Sequence, residues 1–152
     1  MYDFPDKEVY TLDDLRALVR ILRAEDGCPW DHEQTHASIR RDFIEETYEA
    51  IEAIDRDDPE LLREELGDVL FQVVFHGQIE EELGRCTLDE IITDVTRKML
   101  IRHPHVFSGL TVSGTGEVLD NWEKIKNEVK GTGSKTETLT LVRDLPGAHA
   151  GG

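Results

Sequence analysis

Apolar residues recur every three to four positions in five stretches of the chain, the period of a helix with one buried side. The first stripe is Leu15, Leu18, Val19 and Leu22. It opens at Thr11-Leu-Asp-Asp14, which has the form of a capping box with a shortened acid, and Asp26-Gly27-Cys28-Pro29 breaks it. A second predicted helix starts near Thr35 and runs to about Arg56, with Ile39, Phe43, Ala50, Ile51 and Ile54 marking its buried side. Asp57-Asp58-Pro59 interrupts it, and an Asp cap followed by Pro at the first helical position starts the next helix. That third helix runs from Pro59 to about Leu83, on the stripe Leu62, Leu66, Val69, Leu70, Val73 and Val74, and Gly84 supplies a left-handed end. Thr87-Leu-Asp-Glu90 opens a fourth helix, which His103-Pro104 stops after about Arg102. A loop with Gly109, Gly114 and Gly116 precedes a fifth helix over roughly Glu117 to Val129. There is no internal repeat and no convincing strand. The pattern predicts an all-α fold, an antiparallel hairpin and bundle of about five helices. It forms one domain over residues 1–130, with 131–152 as a flexible tail.

Composition narrows the function. The chain has 152 residues, 38% hydrophobic and 33% charged, enough for one domain with a core. No apolar run approaches the ~18 residues that span a bilayer, and the N-terminus lacks the form of a signal peptide, so a cytoplasmic location is expected. Cys28 and Cys86 share no metal-binding spacing and are read as free thiols. The net charge of −16, from 33 acids against 17 bases, repels phosphate polymers and disfavours nucleic acid as a partner. A small phosphorylated substrate fits only if a bound cation or a basic cluster reverses the field locally.

The acids are not evenly spread. The second predicted helix carries Glu45-Glu46-Thr47-Tyr48-Glu49, and the third carries Glu64-Glu65-Leu66-Gly67-Asp68. Residues three apart share a helix face, so Glu46 points with Glu49, and Glu65 with Asp68. The short connection implies an antiparallel pair centred on Asp57. Glu49 and Glu65 each lie eight residues from Asp57, and Glu46 and Asp68 each lie eleven. At 1.5 Å per residue these levels are ~12 and ~16 Å from the turn, so Glu49 should face Glu65, and Glu46 should face Asp68. Either cluster alone reads as a solvated acidic face. Their mirror placement points instead to a hard divalent cation, Mg²⁺ or Mn²⁺, which all-oxygen ligands suit and which shares its sphere with phosphates.

These residues resemble the signature of the MazG nucleotide pyrophosphohydrolases: Glu-Glu-x-x-Glu, fourteen residues, then Glu-Glu-x-x-Asp. The likeness extends over about residues 12 to 130. It includes Gly27-Cys28-Pro29-Trp30-Asp31, Gln34-Thr35-His36, Arg102-His103-Pro104-His105-Val106-Phe107 and Asn121-Trp122-Glu123-Lys124-Ile125-Lys126, and is nearest to the first domain of the two-domain members. The resemblance implies an all-α fold whose protomers form a homodimer or a higher assembly. It implies hydrolysis of nucleoside triphosphates between the α- and β-phosphates, giving monophosphate and pyrophosphate. Metal ligands would be Glu46, Glu49, Glu65 and Asp68, with Glu45 and Glu64 as catalytic candidates that orient water or hold a second metal. Lys98, Arg102, Trp122 and Lys126 match nucleotide-binding positions, and Trp30 matches an aromatic that stacks on the base. Residues 139–146 resemble the start of a connecting segment, so a single-domain member and part of a two-domain protein both fit the end of the chain.

Two other readings compete. A ferritin-like di-iron protein needs Glu-x-x-His on two helices, and the one such string, Glu33-x-x-His36, precedes the second helix. A non-catalytic helical dimer that binds nucleotide without turnover would not need the complete acidic set.

Overall fold

The computed structural model describes residues 1–109 and 113–130. Among them are seven helices: α1 (Leu12–Arg23), α2 (Pro29–Glu33), α3 (His36–Asp55), α4 (Pro59–Glu82), α5 (Leu88–Arg102), α6 (Pro104–Phe107) and α7 (Thr115–Lys130). The described residues include no strand, and none of the helices is long and apolar enough to cross a membrane. The expected tail lies outside the described residues. The chain divides into two compact units, Met1–Leu88 and a second from Asp89 onward.

The first unit is built on the α3–α4 hairpin, with α1 packed on α4 and α2 on α1. Thr35 caps α3 by accepting from the Ser38 amide, and Asp58 caps α4 by accepting from Leu61, with Pro59 in its first turn. Both helices end in the same hydrogen-bond pattern. Asp58 N–H donates to Ala53 O and Asp57 N–H to Ile54 O, and Arg85 and Gly84 repeat this on Glu80 and Glu81. The residue that reverses the chain is left-handed in each case, Gly84 at φ 71° and Asp57 at φ 50°. Gly27, between α1 and α2, is fixed by space: a Cβ there would sit 2.0 Å from the Ile21 carbonyl oxygen.

The core of this unit joins Val19, Ile39, Val74, Phe75, Ile79 and Leu88. Phe75 and Val19 are fully buried, each contributing about 1.5–3 kcal/mol through removal from water. Nearer the turn, α3 buries only Ala50 and Ala53. The sequence pattern placed Ile51, Ile54, Leu66 and Leu70 on the buried side, but they are 45–59% exposed. The hairpin's contact strip is narrower than the apolar stripe, and Ile51 shares an outer face of α3 with exposed Ile44 and Tyr48.

Arg23 is a buried member of α1 that hydrophobic patterning does not flag. Its guanidinium forms a fork on Glu82 at 2.8 Å, donates to the Asp31 and Gln34 carbonyls, and lies 5.0 Å from the centre of the Phe75 ring. Every one of these contacts reaches outside α1, so Arg23 ties α1 to α4 and to the α2 segment.

The second unit contains α5, α6 and α7. His103 ends α5, its Nδ1 lying 2.6 Å from the Met99 carbonyl oxygen, and its ring meets Trp122 edge-on at 4.9 Å. Ser113 precedes α7, and its N–H and hydroxyl both donate to Glu117 at 2.8 Å.

Candidate functional site

Glu46 and Glu49 lie on one face of α3, and Glu65 and Asp68 on one face of α4. The hairpin brings an oxygen from each of Glu46, Glu49 and Glu65 within 4.8 Å of the others. Asp68 is exposed and outside that trio, but its charge acts on both Glu46 and Glu65. The pairings agree with the antiparallel register. Glu49 is the acid with the largest effect on Glu65, and Asp68 exerts the largest charge effect on Glu46.

Burial makes the cluster unusual. Glu65 is only 7% exposed, and burial is the main cause that raises its pKa to about 7, followed by the hydrogen bond and charge of Glu49 and the charges of Asp68 and Glu46. Glu46 is also raised, first by burial and then by the charges of Asp68 and Glu49. Oε2 of Glu46 and Oε2 of Glu65 are buried with no hydrogen-bond partner among the described residues. Unpaired buried acceptors, like charges at close range and an all-oxygen donor set fit a hard divalent cation.

Glu45 and Glu64 are not in this trio. Glu45 is held by Arg41 at 3.2 Å on the exposed side of α3, and Glu64 is exposed on α4. Trp30, on α2, is 57% exposed. Lys98 and Arg102 are half-buried one turn apart on α5, and Trp122 and Lys126 are half-buried one turn apart on α7. The Trp122 indole N–H is buried without a partner among the described residues. The His36 and His76 rings are nearly coplanar, centres 5.0 Å apart, and meet at their Nδ1 atoms 2.7 Å apart, and His36 Nε2 lies 2.8 Å from Glu80. Glu33 and His36 fall on separate helices, so the di-iron pattern is not formed among the described residues. Patterning did not single out Gln72, whose Oε1 is a further buried acceptor without a partner among the described residues. Its signal was its spacing, seven residues after Glu65 on one helix.

Comparison with known proteins gives a consistent result. Residues 34–107 match the MazG nucleotide pyrophosphohydrolase domain. The chain is 46% identical to the uncharacterized protein YabN of Bacillus subtilis, across 86% of this chain and 27% of that protein. It is 44% identical to the nucleoside triphosphate pyrophosphohydrolase of Escherichia coli strain K12, across 87% of this chain and 51% of the relative. To the nucleoside triphosphate pyrophosphohydrolase/pyrophosphatase MazG of Thermotoga maritima it is also 44% identical, across 78% of this chain and 45% of the relative. The chain thus spans about half the length of these relatives, or less.

Proposed function

Because the chain carries a domain of the MazG nucleotide pyrophosphohydrolase family, we propose that it hydrolyses nucleoside triphosphates, ribo- or deoxyribo-, to the monophosphate and pyrophosphate. The observation that carries this reading is the convergence of Glu46, Glu49 and Glu65 within 4.8 Å, with two of their oxygens buried and unpaired. These three and Asp68 would hold Mg²⁺, or Mn²⁺ in its place. The cation when bound offsets carboxylate repulsion and polarises phosphate oxygens.

The chain's own groups do the rest. A carboxylate must orient the attacking water and accept its proton as the bond between the α-phosphorus and the bridging oxygen breaks and pyrophosphate leaves. Glu45 and Glu64, next to the ligands in sequence, are the candidates. Lys98, Arg102 and Lys126 would neutralise triphosphate charge, which a chain of net charge −16 otherwise repels. Trp122 and the exposed Trp30 ring offer aromatic contacts, and stacking tolerates different bases. A role in clearing the cytoplasmic nucleotide pool follows from such tolerance. A second copy of the chain is the proposed cover for the outer apolar face of α3.

The test is turnover of an NTP and dNTP panel with Mg²⁺, scored for monophosphate and pyrophosphate. Glu49→Ala should lower kcat by about 10²-fold or more, the scale of losing a group that stabilises transition-state charge. Wild-type chain that binds nucleotides but releases no pyrophosphate from any of them would favour the second reading, a nucleotide-binding regulatory module.

A further inference from the structure

The unpaired buried polar atoms of the first unit do not stop at the carboxylates. On α4, Glu65 Oε2, Gln72 Oε1 and His76 Nε2 are all buried with no hydrogen-bond partner among the described residues. Seven residues are within ~20° of two whole helical turns, so Gln72 lies in line with Glu65, and His76 continues the line one turn further. At 1.5 Å per residue, Gln72 is ~10 Å and His76 ~16 Å beyond Glu65, on the side away from the Asp57 turn. Native proteins seldom leave a buried carboxamide oxygen unpaired except where a ligand or water serves it.

The far end of this line is held still. The His76 ring meets His36 edge to edge in one plane, with the two Nδ1 atoms 2.7 Å apart, and lies against the Phe43 ring with centres 5.3 Å apart. His36 is in turn held by Glu80, which Arg85 also engages. Burial, and then the neighbouring His36, hold His76 below the usual imidazole pKa, so its Nε2 belongs to a neutral ring at neutral pH. Beyond the acidic cluster, the line therefore changes from charged acceptors to neutral polar atoms against aromatic rings. That is the change in chemistry along a nucleotide, from phosphates to sugar and base.

We propose that Gln72 is a specificity residue that reads the nucleoside: its Oε1 accepts a hydrogen bond from a sugar hydroxyl or a base amino group, with His76 Nε2 as the next polar contact. The proposal rests on the hydrolase reading only in placing the phosphates at Glu46, Glu49 and Glu65. The test is calorimetric binding to the whole chain with Mg²⁺, using α,β-methylene ATP, its 2′-deoxy and inosine counterparts, and inorganic tripolyphosphate. Gln72→Met keeps the side-chain shape and removes the carboxamide; its melting temperature checks the fold, and Gln72→Leu replaces it if it does not fold. The variant should bind the ATP analogue about ten-fold more weakly and tripolyphosphate within about two-fold of wild type, the scale of one lost hydrogen bond. Collapse of the ribo/deoxy difference assigns the 2′-hydroxyl. Collapse of the adenine/inosine difference assigns the amino group, and survival of both assigns the 3′-hydroxyl. Equal weakening of tripolyphosphate, or unchanged nucleotide binding, overturns the proposal. Wild-type chain that binds these analogues but releases no pyrophosphate from any NTP or dNTP of the turnover panel overturns the hydrolase reading instead, and leaves the Gln72 result interpretable.

Discussion

Glu65 couples the site to stability. Its folded pKa, about 7, lies above the ordinary 4.5, so the native state binds its proton more tightly than the unfolded chain does. The stabilisation is complete below about pH 4.5 and is lost as pH rises through about 7. Chelator-treated protein should therefore melt at falling temperature between pH 5 and 7, with Glu46 acting in the same direction. Glu65→Gln should flatten that slope, and millimolar Mg²⁺ should reverse it in the wild type, because a cation replaces the proton. A slope in chelator that Glu65→Gln leaves untouched would show that the buried carboxyl is not its source. The pairing of Glu49 with Glu65 was legible in advance, because equal spacing about one turn fixes which residues meet. The burial of Glu65 was not: Leu66 and Leu70, read as core, are exposed, while the acid next to them is covered. Hydropathy ranks residue types, and only the helix partner decides which face is dry. Arg23 and Gln72 escaped notice for the same reason, being polar residues on buried lines of their helices.

At the level of elements, α3, α4 and α5 could be bounded almost to the residue from Thr35, Asp58-Pro59, Gly84 and Arg102, since caps and proline act locally. The two short helices α2 and α6 were missed. Cys28-Pro29 and His103-Pro104 were read as breaks, but a proline that ends one helix has its φ already set to begin another, and each of these does so. The hairpin turn offers a sharper check. Asp57 holds φ 50° with a side chain that favours the opposite hand. The left-handed conformation costs a non-glycine residue roughly 1–2 kcal/mol, and glycine returns part of that as lost chain entropy of about 0.5–1 kcal/mol. Asp57→Gly should raise unfolding stability by about 0.5–1 kcal/mol in urea melts. Because the turn sets the register of Glu49 on Glu65, turnover should be unchanged. A destabilised variant would mean that the Asp57 carboxylate has a role in the turn beyond its backbone.

For the molecule as a whole, the unexplained apolar surface weighs more than the net charge. Ile44, Tyr48 and Ile51 are 46–67% exposed on one side of α3, where Arg40, Phe43 and Thr47 complete a groove of about 490 Å³. The interface proposed for this patch is a contact with a second copy, since large exposed apolar patches are uncommon on surfaces that meet only water. The periodicity of α3 was legible, but a single sequence cannot divide its apolar residues between a core and a partner, since both faces follow the same 3.6-residue period. With a second copy as the cover, Ile51→Lys would place a charge in a dry contact on each side of a two-fold interface. In an isolated protomer the same substitution is a surface change, within about 0.5 kcal/mol of neutral. Sedimentation of the wild type at micromolar concentration should give twice the protomer mass, and the variant should sediment as a protomer while keeping its helical circular dichroism. If the variant stays dimeric, the contact lies on another face. If the wild type is itself monomeric and Ile51→Lys changes nothing, the groove must be assigned to a partner other than a second copy.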